Sequence, residues 1–141
     1  MANIVYNNFL KQLMSGTIDL VTDNIYAMLV SGTYTPSVLH SGMTSILAHQ
    51  SCDTLSSYKS GGSLLTSKTL LEGSNSVAFD AADVSWTTAT VTASGVVVWH
   101  SGSDTLRNNI AWIELGNQSS TNGTFQIVWN NTNGIFKISG T

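Results

Sequence analysis

The chain has 141 residues, a net charge of −3 and 9% charged residues, against roughly 25% in average soluble proteins. That length holds one domain with a real core, residues 1–141, rather than two. The five basic residues, Lys11, Lys59, Lys68, Arg107 and Lys137, are scattered, so no stripe exists to neutralise phosphates and no nucleic-acid partner is expected. Ser, Thr and Asn make up about a third of the chain and 42% of it is apolar. Solubility therefore rests on uncharged polar groups, which suits pleated surfaces and turns. The start, "MANIVYNNFLKQ", lacks a basic-then-apolar leader. No run of about 18 apolar residues is present, so no membrane partner is expected. Cys52 is the single cysteine, which excludes an intramolecular disulfide.

The first predicted element is a helix over about residues 4–15. At about 100° per residue, Val5, Tyr6, Phe9, Leu10, Leu13 and Met14 fill one half of the wheel. Asn3 is placed to cap it and Gly16 to stop it. Such a face needs burial, and packing within the subunit is the expectation. The period then changes to two. "NIYAMLV" (residues 24–30) is apolar on both faces, as in a central strand. Residues 31–62 read as a long irregular loop with a short helix around residues 43–49, and loops of that length are often functional.

Strand character resumes in "SLLTSKTLL", "SVAFD", "VSWTT", "ATVTASGVVVWH" with a bulge-prone Gly95, and "NIAWIEL". The last stretch, "FQIVWNNTNGIFKIS", reads as a closing hairpin. Phe125, Ile127 and Trp129 share one face, Asn133-Gly134 supplies positive φ, and Phe136 and Ile138 form the return strand. Eight or nine short strands with turn signals every ~8–12 residues define the fold class. It is all-β, mainly an antiparallel sandwich or jelly-roll-like barrel, with one N-terminal amphipathic helix and a long loop.

Reaction chemistry is sparse. There is no G-x-S-x-G elbow, and "KSGGSLL" reads as a turn entering a strand rather than a phosphate cradle. Asp80 and Asp83 sit three apart at a strand junction, where carboxylates bond nearby amides. His49-x-x-Cys52 has ligand-like spacing, but a structural zinc needs four ligands, and His40 and His100 are distant in sequence. No catalytic residue, metal or cofactor is assigned, and the protein is not expected to be an enzyme. Trp86, Trp99, Trp112 and Trp129 are candidate sugar platforms, although aromatics on alternating strands usually point into the core.

Several segments in order resemble a family of small virion structural proteins of tailed bacteriophages. They are the opening "MANIVYNNFLKQLMSGTIDLVTDNIYAMLVSGTYTP", then "SYKSGGSLLTSKTL", "VAFDAADVSW" and "NGTFQIVWNNTNGIF". Residues 36–57 depart from that pattern, lacking its acidic residues. The resemblance implies a capsid decoration (cement) protein, made in the host bacterial cytoplasm and located in the virion on the capsid exterior. Its implied partner is the major capsid protein, and it is implied to be a homo-oligomer, with a trimer favoured over a dimer. Candidate contact residues are Ala2, Asn3, Ile4, Val5 and Tyr6 at the start, and Val38, Leu39, Met43, Ile46 and Leu47 in the long loop. For each of them the other reading is packing against the subunit's own sandwich. The competing function is a tail-tip or fibre adhesin that binds host surface glycans.

Overall fold

The computed structural model describes residues 3–50, 58, 61–102 and 107–140. In chain order the elements are β1 (Ile4–Val5), α1 (Asn7–Met14), β2 (Ile25–Val30), α2 (Thr44–Leu47) and β3 (Ser63–Leu64). They continue with β4 (Thr69–Glu72), β5 (Ser76–Asp80), β6 (Val84–Ser101), β7 (Arg107–Ile127) and β8 (Phe136–Ser139). These strands build two antiparallel sheets, one of order β1-β7-β6-β2-β3 and one of order β4-β5-β8. The all-β, antiparallel expectation therefore holds. One apolar core draws side chains from both sheets, including Phe79 and Phe136 from the small one and Ile25, Leu29, Val96, Val98 and Ile110 from the large one.

The predicted helix is present but starts later. Residues 4–5 pair with β7, Ile4 opposite Trp112 and Val5 opposite Ala111, because that ladder satisfies backbone groups a helix start would leave orphaned. Tyr6, in extended conformation, is the N-cap residue. Asn3 caps nothing; its Oδ1 accepts the Glu114 N–H at 2.7 Å. Gly16 stops the helix at φ +78°, as the sequence predicts. Phe9 is fully buried and meets the edge of the Phe136 ring at 5.6 Å, so the apolar face of α1 packs within the subunit.

β2 is the central strand its pattern predicts. Ile25, Ala27 and Leu29 enter the core between the sheets, while Met28 and Val30 enter a second core on the opposite face. That second core is roofed by residues 31–50: Tyr34, Met43 and Ile46 lie over Val97, Trp99 and Trp112. Residues 31–50 of the long loop therefore cover one sheet face, while Tyr58, further along it, is buried in the core between the sheets. The loop's predicted short helix is α2.

Two expectations are corrected. β6 and β7 are not several short strands but one hairpin with arms of 18 and 21 residues, interrupted by register shifts. One shift lies between Ala93 and Gly95, where a Cβ on Gly95 would collide with the Trp112 indole. The closing hairpin is the second correction. Phe125 and Ile127 end β7 in the large sheet, opposite Trp86 and Val84, whereas β8 pairs with β5 in the small sheet. Residues 130–134 form a tight turn that carries the chain from one sheet to the other. Asn130 Oδ1 accepts the N–H groups of Thr132 and Asn133 at 2.8 and 2.7 Å, and Gly134 takes φ +65°. A Cβ on Gly134 would strike the Phe79 carbonyl, so the turn needs glycine for space as well as for φ.

Candidate functional site

The groups that sequence reading singled out for chemistry are dispersed into structural roles. Asp80 Oδ1 accepts the next N–H, that of Ala81, at 2.9 Å, and Asp83 Oδ1 accepts the Trp129 N–H at 2.9 Å. His40 and His49 both pack against the Tyr34 ring, at 5.5 and 5.8 Å, whereas His100 sits elsewhere beside Asp23. His49 Nδ1 lies 2.7 Å from Thr33 Oγ1, His40 Nδ1 lies 2.8 Å from the Tyr34 hydroxyl, and His100 Nε2 lies 3.0 Å from Asp23 Oδ2. Cys52 lies outside the described residues, among which no group of three or more metal-ligating side chains assembles. All four tryptophans are buried, Trp86 and Trp129 in the core between the sheets and Trp99 and Trp112 in the second core. Their flat faces are used for packing. No helix among the described residues is long and apolar enough to cross a membrane.

The loop that roofs the second core is held by a chain of polar contacts. The Tyr6 hydroxyl lies 2.8 Å from that of Tyr34, which in turn meets His40. Asn109, fully buried, donates from Nδ2 to the His40 carbonyl at 2.9 Å and accepts the Gly42 N–H at 2.8 Å. Burial, reinforced by the bond to Tyr34, pushes the Tyr6 hydroxyl far above the usual phenol range, and burial also raises Tyr34. Both remain neutral donors and acceptors.

This arrangement divides the predicted contact residues. Tyr6, Met43 and Ile46 are buried in the subunit's own second core, the other reading given for each, and so are not exposed contact residues. Leu47 and Ile4 are half-buried against the same core. Val38 and Leu39 are exposed, Leu39 at 77%. Asn3 is exposed and Val5 half-buried, while Ala2 lies outside the described residues.

The surviving N-terminal candidates meet the amide turn in one place. Asn3, Ile4 and Val5 form one wall of a groove of about 410 Å³, and Phe136 and Lys137 form the other. Asn130 and Asn133 of the turn also line it, as does Ile113, on the inward face of β7. The two sides belong to different sheets, β1 being one edge of the large sheet and β8 one edge of the small one. The groove is thus where the sandwich stays open. Sequence reading flagged residues 2–6 and the amide tip separately. It missed Lys137 and the adjacency itself, because edge position depends on which sheet each strand joins.

A second opening lies along the same strand. Phe136 and Ile138 of β8, with Leu70, Val77, Leu13 and Leu20, line a nearly all-apolar cleft of about 240 Å³. Of these, Leu70, Val77 and Ile138 are exposed. Its lining has no hydrogen-bonding side chain, so it holds apolar groups without orienting them.

No family model, curated protein or solved structure matches the chain.

Proposed function

We propose that this protein is a structural subunit that works by attachment: a capsid decoration (cement) protein that binds the outside of a bacteriophage head. The bacteriophage assignment comes from the resemblance of its sequence segments to small virion structural proteins. The observation that carries attachment is the open side of the sandwich, where two sheet edges frame a groove of mixed polarity. The carboxylates, histidines and tryptophans that would serve other chemistries are meanwhile engaged in turns and cores. Each subunit would bridge adjacent major capsid proteins and add binding energy across seams that packaged DNA strains. A stable interface needs about 800 Å² from each partner, on the order of a tenth of this chain's 7566 Å² surface. Assembly as a trimer, or as a dimer, multiplies weak single contacts through effective concentration.

The adhesin reading gains no support from the four tryptophans, which are buried, since stacking a sugar requires an exposed ring. Quantitative mass spectrometry of purified particles tests the proposal. Hundreds of copies per particle, with heads that become fragile to chelation or heat when the gene is deleted, support decoration. A handful of copies at the tail overturns it.

A further inference from the structure

The chain passes between the two sheets from β3 to β4, from β5 to β6 and from β7 to β8, and among the described residues β1 and β8 are edge strands that share a groove. The backbone directions follow from the ladders. Tyr6 N–H donates to Ile110 O at 3.0 Å, in register with Ile4 opposite Trp112, so Tyr6 and Ile4 turn toward β7. Alternation turns the N–H and C=O of Val5 the other way, to the groove side. Gly140 N–H donates to Asn75 O at 2.8 Å, in register with Ile138 opposite Val77. The same alternation turns the backbone of Lys137 and Ser139 away from β5.

Spacing then limits what fits. Stacked sheets lie about 10 Å apart and paired strands about 4.8 Å apart. At these spacings an extended chain laid along the Val5 or the Lys137 edge would have a ladder partner one strand width away. The groove also has a definite charge preference. Among the described residues Lys137 is the one lining residue with an ionised side chain, in a chain of net charge −3. The nearest acid along β7, Glu114, accepts from Trp112 Nε1 at 3.2 Å on the opposite face of that sheet. The groove side facing the core is apolar, with Ile113 and Phe136.

We propose that the groove between β1 and β8 takes an extended segment of a partner protein, alternating apolar and acidic residues, that pairs with the Val5 and Lys137 backbone. The apolar side chains of that segment turn inward to Ile113 and Phe136, and a carboxylate meets the Lys137 ammonium. This is strand addition at a sheet edge. It rests on the reading that the protein works by attachment, and it names where and with what chemistry.

The test titrates two blocked nine-residue peptides, one alternating Val and Glu and one alternating Val and Lys, into the isotope-labelled full chain, followed by NMR. Amide shifts are expected at Val5, Ile113, Lys137 and Ser139, with the Glu peptide binding about three- to tenfold more tightly. Lys137→Glu reverses that preference. Val5→Pro and Ser139→Pro each remove an outward N–H while leaving the internal ladders intact, and each weakens binding about tenfold. Ile138→Pro, by contrast, breaks the β5–β8 ladder and reports what loss of that edge looks like. Absence of shifts at millimolar peptide overturns the proposal, as does binding indifferent to peptide charge and to Lys137→Glu. Sedimentation that shows a dimer abolished by Val5→Pro assigns the groove to a second copy and also overturns it. Particle copy number is unaffected by any of these outcomes, so the decoration reading stands or falls separately.

Discussion

The two faces of the five-stranded sheet are covered in different ways. One is covered by regular structure, the small sheet and α1, and its core is formed almost wholly of apolar side chains such as Phe9, Leu29, Phe79, Val98 and Phe136. The other is covered by residues 31–50, whose only regular element is the four-residue α2. Strands and helices satisfy their own backbones, so a cover made from them needs only apolar surface to adhere. A loop has no ladder of its own, and this one is fixed by side-chain bonds through Tyr6, Tyr34, His40 and Asn109. The lesson is that the first cover is secured by area and the second by a few polar anchors around Met43 and Ile46.

Four substitutions test this difference between the two covers. Phe79→Ala, in the core between the sheets, is expected to cost about 3–5 kcal/mol. Equilibrium denaturation followed by tryptophan fluorescence should show one transition moved as a whole, because each core contains two tryptophans. Ile46→Ala, under the loop, is expected to cost about 2–5 kcal/mol. Its hydrogen exchange should rise first in residues 31–50 while β2 and β6 stay protected. If the whole protein opens together instead, the two covers are one cooperative unit and the contrast fails.

Tyr34→Phe removes the hydroxyl shared by Tyr6 and His40 and should cost about 1–3 kcal/mol, since buried partners lose their bonds. It also bears on pH. The Tyr6 and Tyr34 hydroxyls are raised above the ordinary phenol value in the folded protein. Their contribution is complete below the unfolded value near pH ~10. Above that pH the unfolded chain releases protons the folded chain keeps, so stability falls as pH rises. Melting temperature should therefore drop more steeply above about pH 10 in the native protein than in Tyr34→Phe. Equal slopes would show that the anchor does not set the alkaline limit. Leu39→Ser, at the exposed surface of the loop, should change stability by no more than about 0.5 kcal/mol. Loss of particle binding without loss of stability would mark Leu39 as a contact residue.

Much of the fold is legible in local pattern. The glycine stop at Gly16, the doubly apolar β2 and the bulge at Gly95 each follow from residue type and spacing, because φ preference and side-chain alternation act over a few residues. Helix onset is less legible. Residues 4–5 fall within the predicted helix and Val5 fits its apolar face, yet pairing with β7 recruits them, since a ladder with a distant strand outweighs weak local propensity. The candidate site is half legible for the same reason. Asn3, Val5 and the amide turn carry recognisable surface chemistry, but Lys137 becomes meaningful only once β8 is an edge.

The closing stretch from Phe125 to Ser139 separates the two kinds of information. Its sequence alone determines that Phe125, Ile127 and Trp129 share a face, that residues 130–134 turn, and that Phe136 begins another strand. Alternation specifies which side of a strand is buried. It does not specify which strand lies alongside, since backbone ladders accept almost any partner sequence. Only the tertiary structure decides that the two arms join different sheets, leaving β1 and β8 as facing edges with an open groove between them.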